Sequence, residues 1–209
     1  MTIAHVQHTQ AQNGQSSSAR TLAFPSNVTA GNALIACVGF YGTSTGTIAV
    51  TDSLSQTWSS AVLCRGNGAA NLNAQIFYFF NTAGGANTVT FTPTASVYTA
   101  LIIAEFSGLV GTLGNTANAA NAGSIINILT GGVTPPVLPN LGISLFTTTG
   151  TNLSWCLPDG GYSQFGLITG GGSGCGAAAY FKIDEQSNYG CISTQSANCA
   201  ANGCFAFFS

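Results

Sequence analysis

Along most of the chain, apolar and polar residues alternate with a period of two, in short runs broken by Gly, Asn, Pro and Ser. This pattern predicts strands over 3–9, 21–24, 33–40, 47–51, 59–64, 74–80, 88–92, 100–106, 125–129, 141–147, 164–168, 178–183, 191–194 and 204–208. In 87–92 (NTVTFT) the register is explicit: Val89 and Phe91 point to the core, Thr88, Thr90 and Thr92 to solvent. Segments 33–40 and 100–106 are instead almost continuously apolar, as expected of strands covered on both faces. No window shows a capped 3.6-residue period, so no helix is predicted. All six prolines fall at strand ends or in loops, where the missing N–H interrupts no ladder. The Asn/Ala/Gly-rich stretch 111–123 reads as a long surface loop. The expected fold is all-β, a single jelly-roll-like antiparallel β-sandwich over 1–209, with 1–12 an edge or exchanged N-terminal strand.

Charge changes this picture more than any other property. Only 4% of residues are charged, against about 25% in an ordinary soluble domain. Three cations, Arg20, Arg65 and Lys182, are too few to displace the counterions of a phosphate backbone, which argues against a nucleic-acid partner. Few titratable groups predict a weak dependence of stability on pH. A nearly neutral surface also lacks self-repulsion and favours association with copies of itself. No apolar run approaches the roughly 20 residues of a membrane span. Residues 1–15 are polar and do not read as a signal peptide, so export is expected through a removed leader or another route, such as a virion.

Seven cysteines suit an oxidising compartment. Five lie in the last third of the chain: Cys156, Cys175, Cys191, Cys199 and Cys204. Their spacing lacks the paired C-x2-C of zinc knuckles, which leaves disulfides as the better reading. Cys199 and Cys204, flanking an Asn-Gly pair, are the preferred local bridge. The odd count leaves one thiol free or paired with a neighbouring subunit.

Four segments in order, 47–58 (TIAVTDSLSQTW), 76–92 (IFYFFNTAGGANTVTFT), 101–108 (LIIAEFSG) and 178–208, resemble a β-sandwich domain widespread in secreted bacterial and environmental proteins. Its pattern is VTDSxGNxW, NTVTVT and IAEFSG. The chain departs from it at Ser55-Gln56, where Gly-Asn is usual. The resemblance implies a jelly-roll-like fold and an extracellular setting, and no activity.

The residues of these motifs also have readings of their own. Asp52-Ser53 reads as an Asx-type turn, with Trp58 filling the core and its indole N–H seeking a carbonyl. Gly84-Gly85 supplies positive φ before the next strand. Glu105, an acid in an apolar strand, is the most provocative group. Glycoside hydrolysis needs a second carboxylate roughly 5–10 Å away, and only Asp52, already assigned to a turn, offers itself. A structural role is expected. His5 and His8, at i,i+3 on a strand, should face opposite ways and be unable to share a metal. No Gly-x-Ser-x-Gly elbow is present. The glycine run 170–177 lacks the following helix that a dinucleotide site requires. No cofactor or metal is therefore expected. Asn27 and Asn152 lie in glycosylation sequons.

These features predict a non-catalytic structural subunit of an extracellular filament, sheath or virion surface, whose partner is itself, joined by N-terminal strand addition. The alternative is a carbohydrate-binding or adhesive module using the loop aromatics Trp155, Tyr162, Tyr41 and Tyr189.

Overall fold

A computed structural model describes residues 2–42, 48–66, 71–135, 138–149, 161–169, 174–184 and 192–209. Among them are thirteen strands: β1 (Ala4–Ser16), β2 (Arg20–Ala23), β3 (Ala33–Gly42), β4 (Ile48–Asp52), β5 (Ser59–Arg65), β6 (Leu72–Phe79), β7 (Thr88–Pro93), β8 (Val97–Ser107), β9 (Leu113–Leu129), β10 (Leu141–Thr148), β11 (Ser163–Ile168), β12 (Gly176–Ile183) and β13 (Ile192–Phe208). They form a central sheet ordered β1-β8-β3-β6-β5, a second sheet ordered β11-β12-β10-β13-β9, and a small cover sheet ordered β2-β7-β4. Every pairing is antiparallel. The predicted β-sandwich is present, with a third layer added.

The third layer follows from the doubly apolar strands. On β3, Ile35 and Cys37 face the second sheet, packing with Leu141, Ile143, Leu145, Cys204, Ala206 and Phe208. The alternate residues Leu34, Ala36, Val38 and Phe40 face the cover sheet, where Val89 and Phe91 of β7 meet them. Strand β8 divides in the same way, Ile102 and Ala104 to one core, Leu101 and Ile103 to the other. Val89 and Phe91 are fully buried, as the alternation predicts. Each such side chain stabilises the fold by about 1.5–3 kcal/mol through burial, and truncating Phe91 to Ala would cost about 3–5 kcal/mol. A further cluster, containing Phe146, Tyr180, Phe205 and Phe207, lies on the outer face of the second sheet.

Two expectations are corrected by one strand pair. The stretch 111–123 is not a loop: β9 starts at Leu113 and runs antiparallel to β13. Nor is 199–204 a hairpin: β13 continues through Asn202-Gly203, which pair with Ala120 and Ala119. Five residues of extended chain span about 16 Å, whereas bridged cysteines have Cα atoms within about 7 Å. The Cys199–Cys204 bridge is therefore excluded, and Cys204 is a buried free thiol, as is Cys175. Cys156 and Cys191 lie outside the described residues.

Candidate functional site

The two acids that sequence reasoning singled out each accept hydrogen bonds from several protein donors. Glu105 is on the cover-sheet face of β8, at the end the cover sheet does not reach, and is fully buried. Its Oε1 accepts from the Thr29 N–H at 2.8 Å and from Asn32 Nδ2 at 2.6 Å; Oε2 accepts from Gln7 Nε2 at 2.6 Å. A buried carboxylate so held ties β1 and the 25–32 loop to β8.

Asp52, at the end of β4, accepts from the N–H groups of Leu54 and Gln56, from Gln56 Nε2, from Trp58 Nε1 at 3.0 Å and from Asn87 Nδ2. The Asx turn is as predicted, but the indole donates to the carboxylate rather than to a carbonyl. Burial pushes the Asp52 carboxyl up, yet the bonds from Gln56, Asn87 and Trp58 outweigh it and hold the group below the usual carboxylate range. Ser55 inside this turn has φ 59°, the left-handed region that favours glycine.

The histidine expectation fails on one residue. A bulge between His5 and Gln7 reverses the facing of the strand, so His5 and His8 share a side, with His8 Nδ1 3.3 Å from His5 Nε2. The His5 ring packs edge-on to Phe106 and stacks on Phe181, each at 5.3 Å between centroids. Burial, and then the neighbouring His8, hold the His5 pKa below its ordinary value. Among the described residues no group of three or more His, Cys, Asp or Glu could hold a metal ion.

The aromatic candidates separate. Tyr162 is core, packed with Phe146 and Tyr180, with the Lys182 ammonium 5.6 Å from its ring centre. Its burial removes it as a ligand platform. Trp155 and Tyr189 lie outside the described residues, as does the Asn152 sequon, while Asn27 is exposed. Tyr41 is different. It stands opposite Tyr98 in the β3–β8 ladder, the two rings 6.2 Å apart and 21° from parallel. Together they wall a groove of about 720 Å³ that Gln15, Asn71 and Thr149 also line. Both tyrosines lie just beyond the predicted strands 33–40 and 100–106, in β3 and β8 and not in loops, and only the cross-strand register reveals the pair. The described lining offers aromatic faces and neutral amide and hydroxyl groups, a set that suits polyhydroxylated, uncharged ligands.

The remaining feature is an edge. β1 borders the central sheet, is thirteen residues long, and contains no proline and no Asp, Glu, Lys or Arg. Sheet edges are ordinarily blunted by such residues. β9 is an equally uncharged edge of the second sheet, but the following segment lies against it, with Asn115 Nδ2 donating to Thr134 O at 2.8 Å. Comparison with protein-family models, with curated proteins and with solved structures finds no match.

Proposed function

We propose that the protein is a non-catalytic structural subunit that assembles with copies of itself on an extracellular surface, in a filament, sheath or virion, by strand addition at β1. The observation that carries this reading is β1 itself, a long edge strand with none of the charges or prolines that keep edges from pairing. Its outer side pairs with no further strand among the described residues. The β1–β8 ladder offers a second route, because the same register forms equally well when β1 is lent to the next copy. Low overall charge supports the reading, since contacts between copies then meet little repulsion.

Negative-stain electron microscopy and solution mass of the purified protein test it. Regular polymers are expected, and the pair of substitutions Ala4→Lys and Val6→Lys, both at exposed positions of the edge, should leave folded monomers. Polymers of normal length from that variant would rule out β1 as the contact.

The Tyr41–Tyr98 groove favours a second reading, a glycan-binding adhesive module. Binding on a glycan array that disappears in both Tyr41→Ala and Tyr98→Ala would support it, and an array without signal would remove it.

A further inference from the structure

Four buried free thiols, Cys37, Cys64, Cys175 and Cys204, belong to the one core between the central and second sheets. Two of them meet. Cys204, on β13, places its Sγ 3.2 Å from the Ala74 carbonyl oxygen. Ala74 is the residue of β6 directly opposite Cys64 of β5. The Cys204 S–H donates to the Ala74 carbonyl, which places it beside Cys64, near enough for the two thiols to interact. Both side chains are shut away from solvent.

We propose that Cys64 and Cys204 form a disulfide across the sandwich, joining edge strand β5 of the central sheet to β13 of the second sheet. The inference is independent of how the protein assembles. In the packed structure the interaction with Cys204 holds the Cys64 pKa below the ordinary thiol value, while burial pushes Cys204 up. Before the sheets pack both thiols are accessible, and either can react first. When Cys64 leads, with a low-molecular-weight disulfide as oxidant, its thiolate attacks one sulfur and releases one small thiol. Cys204 loses its proton and attacks the Cys64 sulfur of the mixed disulfide, releasing the second small thiol. The two protein thiols give up two electrons and two protons in all, and the small disulfide becomes two thiols. Because the pair is enclosed once the sheets pack, exchange takes place while the chain folds.

Cys37 and Cys175 are the competing partners. Cys37 is an electrostatic neighbour of Cys204 in this core. Cys175 Sγ instead lies against Gly39, 2.8 Å from where a Cβ would stand. Burial raises the pKa of both thiols in the packed core.

The test is to refold the full chain in reduced and oxidised glutathione, trap remaining thiols by alkylation and map linked peptides by mass spectrometry. A broad-specificity protease is needed, because trypsin, with sites at Arg20 and Arg65, leaves Cys37 and Cys64 on one fragment. A Cys64–Cys204 linked peptide is expected, with a thermal midpoint that drops on reduction. In Cys64→Ala that drop should vanish and Cys204 should become alkylated on unfolding. Separate alkylation of Cys64 and Cys204 in the glutathione-refolded chain, or linkage of Cys204 to any other cysteine, overturns the proposal. The mapping is made on the unaltered chain and does not depend on the variant folding.

Discussion

The side-chain amide of Gln10 pairs with the main chain of Leu167 in both directions, Nε2 donating to the carbonyl at 2.6 Å and Oε1 accepting the N–H at 2.7 Å. Gln10 lies on β1 and Leu167 on β11, the edges of two different sheets. The glutamine thus supplies the donor and acceptor that a further strand would have given Leu167. Gln7 does the same for Ser26, accepting its N–H at 3.0 Å and donating to its carbonyl at 3.3 Å.

Replacing Gln10 by Ala should therefore cost about 1–2 kcal/mol, two hydrogen bonds of ordinary net worth. Chemical denaturation measures the loss, and faster hydrogen exchange at the Leu167 amide locates it. Unchanged exchange at Leu167 would show that water replaces the glutamine without penalty.

Glu105→Gln should destabilise the fold by about 2–4 kcal/mol, because the new NH2 group must face one of the three donors that the carboxylate accepts. The loss should appear in urea midpoints. A variant as stable as the parent would mean that the 25–32 loop and β1 do not depend on this anchor.

Among the described residues His5 and Asp52 both have depressed native pKa values. Stability should therefore fall first as pH drops below the ordinary His value, and again at the acid end, where Asp52 acts. The native pKa of Asp52 is depressed, so below the ordinary Asp value of about 3.9 the unfolded chain binds the proton more readily. The stabilisation is complete above that pH and is lost as pH falls through the lower native value. Asp52→Asn should flatten the acid limb and lower stability at neutral pH. Trp58 fluorescence reports the same event, since its indole N–H is bonded to the titrating oxygen.

Ser55→Gly should raise stability by about 0.5–1 kcal/mol. A residue at φ 59° gains from losing its Cβ by more than glycine adds to the entropy of the unfolded chain. A fall in thermal midpoint would indicate that the serine makes up the strain through its hydroxyl.

Much of this architecture is written in local pattern. The alternation at Val89 and Phe91, the doubly apolar β3 and β8, and the Asp52 turn are each set by residues a few positions apart, and each stands as predicted. Other features belong to the tertiary structure alone. The β9–β13 ladder joins main chains whose small Asn, Ala and Gly side chains have no strand preference to display. One bulged residue turns His5 and His8 to a common face, because period-two reasoning assumes a ladder without slips. Tyr41 meets Tyr98, and Cys64 meets Cys204, only through cross-strand register and the stacking of sheets. Within a strand run free of bulges, a sequence specifies which face a side chain takes, since that depends on its immediate neighbours. What lies opposite it is decided by long-range pairing, which no local period records.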